Sequence, residues 1–278
     1  MHASETYAAL CEAMLSALGR GERVRFAMSE NRAGYGFDSS ERCVEVPWAL
    51  SQYGGEKRVL DVGVSLADPA YFAALLSLQD IGVEELHGVD IVPFARTRHR
   101  FAGLSQPLLD RLVFRQADAR ATGYPESSFD LIFMISVLEH IGFDEACNAP
   151  DTVFNRSREK PTSLPDIARH EGDLCTLKEL HRILKPGGAL VFSVPFGTGR
   201  MVVTRDSKQR HALFLEYGVS RWRQLLAQPG WRVAEQRFFG QLGDGWREVP
   251  DPAPLEHLTY RDAEGVAAAV ACARLVKC

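Results

Sequence analysis

Asp61, Gly63 and Asp90 are the residues whose types and spacing most directly suggest chemistry. The first two close the run Lys57-Arg-Val-Leu-Asp-Val-Gly63, where Val59 to Val62 read as a short buried strand, mostly apolar and partly β-branched. Glycine has no Cβ, so Gly63 permits a sharp turn. Asp68 followed by Pro69 has the form of an N-cap with proline at the first helical position, and a helix through Ala70 to Leu78 follows. Strand, glycine turn and helix open a nucleotide-binding α/β unit, a form that ordinary βα turns share. Asp90 ends a second strand, Glu85-Leu-His-Gly-Val-Asp90. An acid at that place accepts hydrogen bonds from ribose hydroxyls, although alone it is also a common turn residue.

Two further groups fall at strand ends. A third strand ends Arg115-Gln-Ala-Asp118, and Asp118-Ala119 lies where a loop carboxylate can accept the exocyclic amine of adenine or simply face solvent. Ser127 to Ser136 give a fourth strand around the apolar run Leu131–Ile135, and Ser136-Val-Leu-Glu-His140 follows it. That tail belongs at the carboxyl edge of the sheet, where open α/β sheets bind ligands. The unperturbed pKa of a histidine suits proton transfer at neutral pH, so His140 is the first candidate for a general base, with Glu139 second. A hydrogen-bonded structural histidine is the alternative reading. His170 and His181 are weaker candidates, one in a polar insertion and one on a packed helix.

The elements that must position these residues follow in order. Residues 4–18 read as an amphipathic helix and residues 46–53 as a short one with Pro47 near its start. Residues 142–172 form a polar insertion, either a substrate-facing lid or a surface loop. A helix over residues 174–184 is stopped by Lys185-Pro-Gly-Gly188, and residues 189–195 make a fifth strand. A helix over residues 220–228 and strands over residues 231–239 and 266–276 complete the chain. The expected fold is therefore α/β: a Rossmann-like, doubly wound seven-stranded sheet.

Composition narrows the function. The chain has 278 residues, 46% hydrophobic and 24% charged, with a net charge of −4, which provides no basic field for nucleic acid. Its six cysteines form no Cys-x-x-Cys and no zinc spacing, so thiols are expected reduced and no metal constellation is visible. No run of about 18 apolar residues exists, and no signal peptide is recognised, so a cytoplasmic protein without membrane contact is expected.

Three pieces together resemble the class I S-adenosylmethionine (SAM)-dependent methyltransferases. They are Val59-Leu-Asp-Val-Gly63 with Asp90, Phe129-Asp-Leu-Ile-Phe leading to Leu138-Glu-His140, and Leu184-Lys-Pro-Gly-Gly-Ala-Leu190. The resemblance covers residues 57–197 well and implies a mostly parallel sheet with its last strand antiparallel. It implies SAM as cofactor, held by Asp61, Gly63, Ser65, Asp90, Ile91, Asp118, Ala119 and Ser136, with residues 57–278 as the catalytic domain and residues 1–56 as a helical extension or cap. Charge agrees. No Lys or Arg occurs from Asp61 to Asp90, and Asp68 would repel a dinucleotide's pyrophosphate, whereas carboxylates favour an ammonium and a sulfonium. The dinucleotide pattern would need glycines at 65 and 68, and Ser65 and Asp68 stand there.

The chain departs from the family at Gly63-Val-Ser-Leu-Ala67, where Gly-x-Gly-x-Gly is usual. The implied function is methyl transfer to a small polar acceptor such as a sugar derivative or another secondary metabolite. The alternative is a catalytically inactive methyltransferase-like protein with a binding or regulatory role. The oligomeric state is left open.

Overall fold

The computed structural model describes residues 41–143, 169–205, 211–242, 245–258 and 267–278, with positions 16, 156, 157 and 166. The helix expected over residues 4–18 and most of the insertion at 142–172 lie outside the described residues.

The apolar runs build the centre of the sheet. Strand β1 (Arg58–Val62) pairs in parallel with β2 (Glu85–Asp90) on one side and β4 (Phe129–Ile135) on the other. Strand β3 (Leu112–Gln116) pairs in parallel with β2, and β6 (Leu184–Pro195) with β4. Side chains alternate along each strand, so Leu131, Phe133 and Ile135 of β4 join one core while Ile132 and Met134 join the other. Burial on both faces is why β4 reads as an unbroken apolar run. One core is covered by helices α1 (Arg42–Leu50) and α2 (Pro69–Ser77), the other by α5 (Gly172–Ile183) and α6 (Val219–Leu226). The short helices α3 (Phe94–Thr97) and α4 (Gln106–Leu109) lie between β2 and β3.

The expected sheet needs one correction: it has eight strands rather than seven. Strand β11 (Ala269–Lys277), the last, runs antiparallel between β6 and β9 (Trp231–Leu242), as expected. The extra strand is β10 (Gly245–Val249), antiparallel to β9 at the edge. Two boundaries also move. Helix α1 starts at Arg42 rather than residue 46, so Pro47 is interior, and its residues from Cys43 to Leu50 are all buried. A helix buried all round shows no amphipathic stripe. The segment Lys185-Pro-Gly-Gly188 belongs to β6 rather than to a turn. Lys185 Nζ donates to Asp130 Oδ1 at 2.7 Å, and the Arg58 amide donates to Asp130 Oδ2 at 2.9 Å, joining β6, β4 and β1 at their amino ends.

A second, three-stranded sheet stands apart from the main one. Strands β7 (Arg200–Arg205) and β8 (His211–Glu216) form a hairpin, and β5 (Arg156–Ser157) pairs with β8. The hairpin's two roots are tied together: the Gly197 amide donates to the Tyr217 carbonyl at 2.8 Å, and the Tyr217 amide to the Pro195 carbonyl at 2.9 Å. Strand β8 packs on the turn Leu138–His140, which places the hairpin over the carboxyl edge of β4 and β6.

Candidate active site

Every residue expected at the site falls at the carboxyl edge of β1 to β4 or in the loops leaving it. Asp61 lies one residue before the end of β1. Its Oδ1 accepts the Tyr71 hydroxyl at 2.5 Å, while its Oδ2, buried, has no hydrogen-bond partner among the described residues. Burial pushes the Asp61 carboxyl up to about 8; the Tyr71 hydrogen bond opposes this and the nearby Asp90 carboxylate adds to it. Gly63 follows with φ +88°, and a Cβ there would stand 2.4 Å from Val137 Cγ2. The glycine is required twice over, by its left-handed backbone and by the close approach of the β4 loop.

The departing residue Ser65 has a structural use. It sits in the 3-10 turn Val64–Leu66, where its amide donates to Asp90 Oδ2 at 3.0 Å and its hydroxyl to the Val92 carbonyl at 2.8 Å. The Val92 amide donates to Asp90 Oδ1 at 2.8 Å. Burial raises the Asp90 carboxyl and these amide bonds pull it back, leaving it above the usual carboxylate range. Each Asp90 oxygen accepts one amide, and a carboxylate oxygen has a second lone pair to offer. Beside it, Ile91 is 47% exposed, an apolar side chain open at the edge where the loops converge.

Asp118 and Ala119 follow β3, next to Asp90 through the Ala117 amide, which donates to the Asp90 carbonyl at 3.0 Å. Asp118 is engaged by its neighbour: Arg120 donates through its amide and its guanidinium. Burial raises the Asp118 carboxyl, and the Arg120 contacts outweigh it and lower it. Ala119 is buried.

Ser136 leaves β4 with φ +48°. Its hydroxyl donates to Glu45 Oε2 at 2.8 Å, and the Ser193 hydroxyl of β6 donates to the same oxygen at 2.6 Å. Arg42 Nη1 donates to Glu45 Oε1 at 2.7 Å. Glu139 is buried, with Oε1 3.8 Å from His140 Nε2. The His140 side chain is 29% exposed and meets the Phe214 ring of β8 edge-on, centroids 5.6 Å apart. The other two histidines lie elsewhere. His170 stacks on Phe143, and His181 reaches the Gly230 carbonyl at the opposite end of α5.

Sequence reasoning missed Tyr71, Glu45, Ser193 and Phe214. Tyr71 lies in an apolar helix and reads as core. Glu45 lies at the end of a polar stretch that shows no periodicity. Alternating apolar residues around 201–203 and 213–215, separated by a polar stretch, are a hairpin signal that would have located Phe214.

Helix α2 offers little to an anion. Asp68 Oδ1 already accepts the Ala70 and Tyr71 amides at its start, at 2.9 and 3.4 Å. Together with the buried acids Asp61 and Asp90, this edge favours a ligand bearing positive charge and hydroxyl donors. No helix among the described residues is long and apolar enough to cross a membrane.

A family profile described as a methyltransferase domain matches residues 21–265. Among solved structures, the chain is similar to the 4+2 cyclase SpnF at 13% identity, covering 96% of this chain and 92% of that one, with a TM-score of 0.50. It is similar to the Burkholderia thailandensis 1,6-didemethyltoxoflavin-N1-methyltransferase at 18% identity, covering 100% and 91%, with a TM-score of 0.48. It is similar to the Bradyrhizobium japonicum N-methyltransferase NodS at 16% identity, covering 95% and 98%, with a TM-score of 0.46. The last two were solved with S-adenosylhomocysteine.

Proposed function

The chain belongs to the methyltransferase-domain family, and on that premise we propose that it transfers a methyl group from SAM to a small polar acceptor beneath the β7–β8 hairpin. The observation that carries this reading is Asp61. It is a buried acid with one oxygen unpaired among the described residues, beside a glycine turn and next to a helix start that Asp68 already caps. Those groups suit a cation with a sugar and disfavour a pyrophosphate.

SAM, when bound, supplies an activated methyl carbon. Asp61 and Asp90 would hold its charged and ribose portions, and Ile91 and Ala119 would line its base. Gly63 and Ser136 leave the backbone close on either side. The chain's remaining work is to align the acceptor and keep water out. His140 takes the acceptor's proton at a ring nitrogen, since its ring is more exposed than the Glu139 carboxyl behind it. A sugar derivative or another secondary metabolite fits a site whose exposed polar group is an imidazole.

Calorimetry of the full chain with S-adenosylhomocysteine and with NAD tests the reading. Binding of the first alone is expected, weakened about tenfold or more by Asp61→Asn, which removes the charge facing the cation. Binding of NAD, or of neither, overturns it. Transfer of label from SAM across a panel of small hydroxylated and amino compounds then identifies the acceptor.

A further inference from the structure

Among the described residues most buried acids come with donors, but Glu41, Asp61 and Glu139 each keep one buried oxygen without a partner, and of the latter two Glu139 is the one the methyl-donor reading does not use. Glu216 accepts the Thr198 amide and hydroxyl, both at 2.8 Å. Asp173 accepts Arg221 and the Tyr217 hydroxyl. Glu45 accepts Arg42, Ser136 and Ser193. Glu139 is only 4% exposed, yet its Oε2 has no hydrogen-bond partner among the described residues.

The groups facing Glu139 deepen the deficit. They include the carboxyls of Glu45 and Glu41 and the guanidinium of Arg42, which already donates to Glu45. Burial holds the Glu139 carboxyl well above its usual range; its own backbone amide and Arg42 oppose this, and Glu45 and Glu41 add to it. Taking an ionised carboxylate out of water is costly unless a partner offsets it. Within the described fold no group does so for Oε2.

We propose that Glu139 is the recognition site for a protonated nitrogen of a ligand, with Glu45 and Glu41 adding field behind it. This rests on the methyltransferase reading and narrows it: the ligand at the β4 edge carries an amine. Two sources have that chemistry, the α-ammonium on the methionine portion of the cofactor and an amino group of the acceptor.

The test uses the full chain, as wild type, Glu139→Gln and Glu139→Leu. Calorimetry compares S-adenosylhomocysteine with its deaminated analogue, which keeps the carboxylate and lacks the ammonium. If the cofactor is the source, the wild type prefers S-adenosylhomocysteine by about tenfold or more and Glu139→Gln removes most of that preference. If the acceptor is the source, the preference survives in Glu139→Gln. The wild type loaded with S-adenosylhomocysteine is then stabilised against heat by butylamine more than by butanol, and Glu139→Gln is not. Absence of both patterns overturns the proposal. Failure of S-adenosylhomocysteine to bind the wild type overturns the methyltransferase reading with it, so the two failures are distinct. Melting of the unliganded variants is the second measure. Both are expected to melt at or above the wild type, because an uncompensated buried acid is gone. A drop of more than about 5 °C would make Glu139 a structural residue and overturn the proposal.

Discussion

Glu45 and Ser136, 91 residues apart in the chain, are joined by a 2.8 Å hydrogen bond from the serine hydroxyl to the carboxylate. Helix α1 thereby reaches through the fold to hold the loop leaving β4, at a residue whose φ of +48° is rare without glycine. The same oxygen takes Ser193, so a single carboxylate aligns the ends of β4 and β6. Glu45→Ala removes the acceptor of two serine hydroxyls and of an Arg42 N–H, a cost of about 2–4 kcal/mol. Glu45→Gln keeps an acceptor and is expected to cost less. Chemical denaturation of the two variants measures both values, and calorimetry should show weaker S-adenosylhomocysteine binding in the alanine variant.

Asp61 makes stability and ligand binding depend on pH in opposite directions. Its folded value of about 8 lies above its ordinary 3.8, so the folded state holds a proton that the unfolded chain releases. That stabilisation is complete below pH 4 and is lost as pH rises through 8. Asp61→Asn should flatten this part of the fall in melting temperature between pH 5 and 9. The α-ammonium of S-adenosylhomocysteine is favoured by the ionised form, so this ligand should bind more tightly as pH rises from 6 to 8. Tyr71→Phe removes the hydrogen bond that favours ionisation, and that rise should move up by about one pH unit, read by calorimetry across pH.

Gly63→Ala sets a Cβ against Val137 at a backbone angle that suits glycine. A loss of about 1–3 kcal/mol is expected. Val137→Ala removes the steric part alone, so the double variant should recover some stability, and the double-mutant cycle separates strain from collision. Ser65→Gly restores the family's usual residue and loses the 2.8 Å bond to the Val92 carbonyl. It should cost about 1 kcal/mol without tightening S-adenosylhomocysteine binding.

His140→Gln tests the proposed base. Turnover on the acceptor found by label transfer should fall by about a hundredfold or more while S-adenosylhomocysteine affinity stays unchanged. Unchanged turnover would remove His140 from that role.

The central strands were legible because burial on both faces leaves an unbroken apolar run, as in Leu131–Ile135, and because glycine at 63 can be read from its type alone. Asp61, Asp90 and His140 were visible as polar residues at the ends of such runs. Strand β10 was not, since Gly245-Trp-Arg-Glu-Val249 carries charge on a short edge strand. Glu45 was hidden for a different reason. Its neighbours in α1 are buried all round, so no stripe betrays the helix, and its partners come from two distant strands. A sequence also does not show which buried acid lacks a donor, and that distinction separates Glu139 from Glu216.

The tied roots of the β7–β8 hairpin have a consequence for how this protein can diversify. Because the chain leaves β6 and arrives at α6 through a closed pair of amide-to-carbonyl hydrogen bonds, the hairpin is a cassette. Exchanging it for a loop of other length and chemistry, with Pro195 to Gly197 and Tyr217 retained, would redraw one wall of the proposed acceptor site. The strands that carry Asp61 and Asp90 lie outside the exchanged segment, so on the proposed reading new acceptors would become accessible without rebuilding the methyl-donor site.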